Sequence, residues 1–144
     1  GRLGMHLMSS TLKEDESGEP FHVQQRRQIE VFRDAWREAG HEGEPRVSVS
    51  RSVMPITTDL DRAYFGHQGE SSDQIGQIGD EMRAVFGRSY AAEPDVLVEQ
   101  LAGDEAIAAA DTVLLTVPNQ LGVDYNAHLL DSVLRHLAPD LGWR

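Results

Sequence analysis

Apolar and polar positions along the chain fall into short alternating runs. Met5, Leu7 and Met8 form a brief apolar run closed by Ser9-Ser10-Thr11, which predicts a short buried strand over about 5–9. Lys13 to Glu19 is polar: Ser17-Gly18 is a turn signal, and the acidic Glu14-Asp15-Glu16 reads as a solvated loop. From Phe21 to Ala39, the residues Ile29, Phe32, Trp36 and Ala39 recur at spacings of three and four, one face of a helix. Pro20 suits its start and Gly40 its end. Arg46 to Val53 alternates, with Val47, Val49, Arg51 and Val53 on one side and Ser48, Ser50 and Ser52 on the other. That is the period of a strand. Pro55 closes it, and Thr58-Asp59 can cap a short helix through Leu60, Ala63 and Tyr64.

The second half continues the alternation. Residues 66–80 are rich in Gly, Gln and Ser and read as a loop or insertion, followed by a very short strand at Val85-Phe86. Pro94 opens a helix whose apolar face is Val96, Leu97 and Leu101, and Ala106 to Ala110 adds a helical turn. Thr112 to Val117 is the clearest buried strand, closed by Pro118-Asn119. Asp124 to Leu137 is a helix expected to turn Leu130, Val133, Leu134 and Leu137 inward, with Pro139 as its stop. Strands alternating with helices predict an α/β fold with parallel strands. About four βα units are half of what a (β/α)8 barrel of ~250 residues contains. A doubly wound sheet is the rival, but Ser9-Ser10-Thr11-Leu12-Lys13 lacks its glycine-rich phosphate loop, and no such motif occurs elsewhere.

Composition narrows the classes. The chain has 144 residues and no cysteine, so disulfides, a thiolate metal site and a cysteine nucleophile are excluded, and a cytoplasmic location is the default expectation. Its net charge of −11 disfavours nucleic acid as a partner. The basic spot Arg26-Arg27-Arg33-Arg37 is interleaved with Glu30, Asp34 and Glu38, as on a solvated helix. No apolar run approaches the ~20 residues of a membrane span. Gly1-Arg2-Leu3-Gly4 reads as an entry into the middle of a longer protein, so residues 1–144 are expected to form a single partial domain.

Four stretches together resemble the bacterial luciferase-like monooxygenase family. They are Arg2-Leu3-Gly4-Met5-His6-Leu7-Met8-Ser9-Ser10-Thr11, Phe32 to His41, Arg46 to Ser52, and Asp111 to Ala127. The resemblance implies the C-terminal half of a flavin-using (β/α)8 TIM barrel that binds FMN or the deazaflavin F420. It implies a flavin-dependent oxidoreductase, a monooxygenase in which reduced FMN and oxygen act on an organic substrate, with a flavin reductase as electron donor. The close variant is F420-dependent hydride transfer. A departure stands at Ala92-Glu93-Pro94-Asp95, where relatives carry a glycine in the first position. That departure favours another class, a catalytically inactive barrel relative acting as a binding protein. As a half barrel, the isolated chain is expected to be inactive and to self-associate or pair with its missing N-terminal half.

Working residues of such a barrel lie where strands end. That nominates Ser9, Ser10, Arg51 and Asn119 as cofactor-binding residues, with Ser52 and Thr116 beside them. The serines can serve a flavin edge or phosphate, or simply cap the loop after their strand. Arg51 can hold an anion at the strand exit, or form an internal ion pair. His6 reads as a packed or hydrogen-bonded core residue of a strand rather than a ligand, and His128 and Asp131 as a surface pair on a helix. Asp59 and Asp61 read as helix-start residues, and no metal site is expected. No residue can be named for proton transfer.

Overall fold

The computed structural model describes residues 1–10, 12–14, 18–66, 73–78 and 82–143. The fold is mixed α/β with parallel strands, and its contacts divide it into two compact units. The first comprises residues 1–50, 73–87 and 104–114, and the second residues 51–72, 88–103 and 115–144.

In the first unit, β1 (Leu7–Met8) runs parallel to β3 (Val47–Arg51), with Leu7 opposite Val47. β8 (Thr112–Leu115) joins the same sheet, in the order β1-β3-β8. The alternation read in β3 holds, with Val47 and Val49 buried and Ser48 and Ser50 half-buried. Asp111 fastens the sheet reciprocally: its N–H donates to the Val47 carbonyl at 2.9 Å and its carboxylate accepts the Val47 N–H at 2.8 Å. α1 (Phe21–Glu38) buries Phe21, Ile29 and Trp36 together with the amides of Gln24 and Gln25. Phe32 is half-buried and Ala39 exposed, so the buried face lies closer to the helix start than the apolar spacing predicts. The N–H of Phe21 is capped by the Asp73 carboxylate at 2.6 Å. Gly40 ends the helix with φ of +74°, a conformation that favours glycine. Asp104 caps α4 (Glu105–Ala108) by accepting the N–H groups of Ala106 and Ile107.

Four expectations are corrected in this unit. The Thr112–Val117 run is not a buried strand: β8 covers Thr112–Leu115, with Leu114 39% exposed and the others half-buried. The Met5–Met8 run is not a buried strand: β1 stands at a sheet edge, leaving Met5 62% and Met8 63% exposed. His6 is exposed rather than packed in the core. Its Nδ1 accepts the Arg46 N–H at 3.0 Å and its ring stacks on Trp36. The stretch 66–80 is not all loop, because β5 (Gln74–Ile78) pairs antiparallel with β6 (Met82–Phe86), and β6 pairs antiparallel with β2 (Leu12–Glu14). Strand pairing is carried by the backbone, so a run of Gln and Gly can enter a hairpin without an apolar pattern. Thr11, Asp15, Glu16, Ser17, residues 67–72 and residues 79–81 lie outside the described residues.

The second unit contains β4 (Val53–Pro55), parallel to β7 (Tyr90–Ala92), with Val53 opposite Tyr90. α2 (Asp59–Phe65) starts where Thr58 predicts, and α3 (Pro94–Ala102) starts at its proline. A 3₁₀ turn (Asn119–Leu121) leads into α5 (Gly122–His136) and α6 (Ala138–Leu141). Met54, Tyr125 and Leu129 form a core against which Phe65, Ala91, Val117 and Leu121 pack. The inward face of α5 is the expected one only in part, with Val133 and Leu137 buried as expected. Tyr125, Leu129, Ser132 and Val133 are buried, whereas Leu130 is 39% and Leu134 67% exposed. Pro139 sits in the first turn of α6, where its missing N–H costs nothing. Among the described residues no helix is long and apolar enough to cross a membrane.

Candidate functional site

Of the four nominated residues, Arg51 ends β3 and Ser9 and Ser10 follow β1, whereas Asn119 lies four residues beyond β8 in the 3₁₀ turn. In the first unit Ser9 follows β1 and donates its N–H to the Ser48 carbonyl at 2.9 Å. Its side chain is buried, and its Oγ has no hydrogen-bond partner among the described residues. A buried hydroxyl without a partner is uncommon and costs roughly 1–3 kcal/mol unless something beyond the described residues satisfies it. Ser10 is exposed, and its carbonyl accepts the Gln25 side-chain amide at 2.9 Å, which ties α1 to the loop after β1. In the second unit Arg51, the last residue of β3, is buried, and its carbonyl accepts the Thr116 N–H at 2.9 Å. Ser52 is half-buried, Thr116 is exposed, and Asn119 opens the 3₁₀ turn as an exposed residue. At the departure from the family pattern, Ala92 ends β7, and Glu93 forms an exposed ion pair with Arg62 at 2.9 Å.

The most heavily hydrogen-bonded polar cluster lies in the second unit and centres on Asp61. Thr58 caps α2 by accepting the Asp61 N–H at 3.2 Å, while the Asp61 carboxylate accepts the Thr58 N–H at 2.8 Å, a reciprocal capping box. The same carboxylate also accepts the Thr57 N–H and hydroxyl, each at 3.0 Å. From α5 it accepts the Tyr125 hydroxyl at 2.7 Å, and both its oxygens lie within reach of His128 Nε2, at 3.0 and 3.2 Å. Ser132, one turn beyond His128, reaches the Thr57 hydroxyl at 3.4 Å.

Burial by itself would raise the Asp61 carboxyl. The hydrogen bonds from Tyr125, Thr57 and Thr58 outweigh it and hold the group well below the usual carboxylate range. Burial, then the hydrogen bond to Asp61, push the Tyr125 phenol well above its ordinary value. An ionised carboxylate only accepts, so His128 must carry its proton on Nε2, and Nδ1 is the basic nitrogen of the neutral ring. The cluster can therefore dock α2 onto α5 and fix one tautomer of a half-exposed imidazole. The expected His128–Asp131 pairing does not form: Asp131 bonds Arg135 at 2.6 Å. Asp61 is a helix-start residue as read, and its tertiary role was missed. The signal was a polar row, Tyr125, His128 and Ser132, at spacings of three and four on one side of the helix. Among the described residues no group of three His, Cys, Asp or Glu could hold a metal ion.

Compared with protein-family models, with curated proteins and with solved structures, the chain matches none.

Proposed function

We propose that the chain is part of a flavin-dependent oxidoreductase of the luciferase-like type, a monooxygenase that uses reduced FMN and dioxygen on an organic substrate. The observation that carries this reading is the buried Ser9 Oγ, which lacks a hydrogen-bond partner among the described residues at the C-terminal end of a parallel strand. In α/β folds that end of the sheet is where ligands bind. An unpartnered hydroxyl suits a flavin edge or phosphate because it can both donate and accept. Further support is the resemblance spread over four stretches of the sequence, which also nominates Ser10, Arg51 and Asn119 for cofactor contacts. The finer fold, the C-terminal half of a (β/α)8 barrel, belongs to the same proposal. It is supported by the parallel pairings β1–β3 and β4–β7 and by the helices that alternate with them.

When bound, reduced FMN supplies the electrons with which one atom of dioxygen enters the substrate while the other leaves as water. The chain's own part is to bind and orient. Ser9 offers a hydroxyl whose desolvation is already complete, and Arg51 offers a permanent positive charge for a phosphate or acidic substrate group.

Ser9→Ala in the intact protein should keep or raise the melting temperature of the flavin-free form, because it removes a buried hydroxyl that makes no hydrogen bond among the described residues. It should weaken flavin binding about fivefold, the worth of roughly 1 kcal/mol for one hydrogen bond. Arg51→Ala should weaken binding of cofactor or substrate per folded molecule beyond any loss of stability. If its melting temperature collapses while binding per folded molecule is unchanged, Arg51 is structural.

A further inference from the structure

Docking α2 onto α5 uses only one side of the His128 ring. Nε2 lies 3.0 and 3.2 Å from the two Asp61 carboxylate oxygens. Nδ1 makes no hydrogen bond among the described residues and is not a buried atom, on a side chain 36% exposed. With the proton on Nε2, Nδ1 presents a lone pair to solvent. Any side chain with one donor would dock the helices as well. An imidazole adds a second nitrogen that accepts a proton.

The surroundings of the ring suit that use. Asp61 is 1% exposed and is held by the Thr57 and Thr58 N–H groups and by the Thr57 and Tyr125 hydroxyls. A ring that takes a proton at Nδ1 gains its charge 3.0 Å from this ionised carboxylate, which is already in place and needs no rearrangement. Thr57 lies two residues beyond β4, so the cluster stands past the C-terminal end of a parallel strand, the end at which α/β sheets bind ligands. The neighbouring charges are acidic on balance. On α5, Asp124 stands one turn before His128 and Asp131 three residues after it, and Arg135 offsets Asp131 at 2.6 Å. On α2, Arg62 pairs with Glu93 at 2.9 Å, whereas Asp59, like Asp124, has no ion-pair partner among the described residues. Such a field favours a neutral or cationic ligand over an anion.

We propose that His128 is a general base, with Asp61 as its positioning residue, for a neutral or cationic small molecule that carries a weakly acidic C–H or O–H. The Nδ1 lone pair takes the proton, the electron pair of the broken bond stays on the substrate, and the imidazolium returns the proton to water. This role is independent of the flavin reading, which rests on Ser9 in the first unit.

The neutral probe 5-nitrobenzisoxazole reports such a base: removal of its ring C–H proton breaks the N–O bond and releases a coloured cyano-nitrophenolate. His128→Gln keeps a donor for Asp61 and removes the basic nitrogen. His136→Gln is the control, an exposed histidine on the same helix with no carboxylate partner among the described residues. The protein should accelerate the ring opening, and His128→Gln should lower the second-order rate constant roughly fivefold or more with an unchanged far-ultraviolet circular dichroism spectrum, against less than about twofold for His136→Gln. Positioning by Asp61 is read on the wild type: above about pH 8, nitrogen NMR should find the neutral His128 ring in the Nε2–H tautomer alone. That measurement needs no variant and so decides the matter even where His128→Gln disturbs the fold. A rate that His128→Gln lowers no more than His136→Gln does would overturn the base. A neutral ring protonated on Nδ1, or exchanging between tautomers, would overturn the positioning by Asp61 and the free basic nitrogen with it.

Discussion

Replacing Asp61 by Ala is expected to destabilise the second unit by ~3–5 kcal/mol, measured by denaturant unfolding, because it removes a buried carboxylate on which five donors converge and strands the buried Tyr125 hydroxyl. The Thr57 and Thr58 N–H groups, the Thr57 and Tyr125 hydroxyls and His128 Nε2 all converge on that one carboxylate. A cost of that size is a large share of the 5–15 kcal/mol that holds a typical domain together. Asp61→Asn keeps the shape but introduces donors where only acceptors fit, so it should be nearly as damaging. The same group sets an acid dependence. Its carboxyl is held below its ordinary range in the folded state. Its stabilisation is therefore fully present above the unfolded-state value of about 4 and is lost as pH falls below it toward the depressed folded-state value. The stability difference between wild type and Asp61→Asn should accordingly shrink between about pH 5 and pH 2. A difference that stays constant over that range would show that the Asp61 carboxylate is not the group that matters.

Leu129→Ala is expected to cost ~2–5 kcal/mol, whereas Leu130→Ala, one residue along the same helix, should cost under about 1 kcal/mol. Leu129 packs with Met54 and Tyr125 in the core of the second unit, while Leu130 is 39% exposed. Equal effects in thermal or denaturant unfolding would mean that α5 is rotated from the orientation described.

These two sites also mark where the amino-acid sequence speaks clearly and where it does not. The valine–serine alternation of β3 and the Thr58 cap with Asp61 three residues on are local devices, and local devices are legible. The proline starts of α1 and α3 are legible for the same reason. The facing of α5 is not, because Leu129-Leu130 and Val133-Leu134 are apolar doublets. Periodicity then offers two neighbouring faces, and only tertiary partners choose between them: Asp61 for Tyr125 and Met54 for Leu129. The Met5–Met8 run is ambiguous for a related reason, since three apolar residues fit a buried strand and an edge strand equally well. The β5–β6 hairpin has no apolar signature because its pairing is made by the backbone. At the candidate site, strand ends nominated Ser9, Ser10, Arg51, Ser52, Thr116 and Asn119 alike, and only the tertiary structure separates the buried Ser9 and Arg51 from the rest. Neither strand position nor burial can say which ligand meets them, because a hydroxyl and a guanidinium recognise many anions. The Asp61–His128–Tyr125 cluster joins residues more than sixty positions apart, a distance that no local pattern spans.

The measurement that bears most directly on the proposed function is a flavin titration of the intact natural protein, read by absorbance and fluorescence, with FMN and then F420. The account predicts saturable FMN binding at micromolar affinity or better, weakened by Ser9→Ala without loss of fold, and weaker binding of F420. A folded protein that binds neither flavin would contradict the reading outright, and tight F420 binding without FMN would replace monooxygenation with hydride transfer.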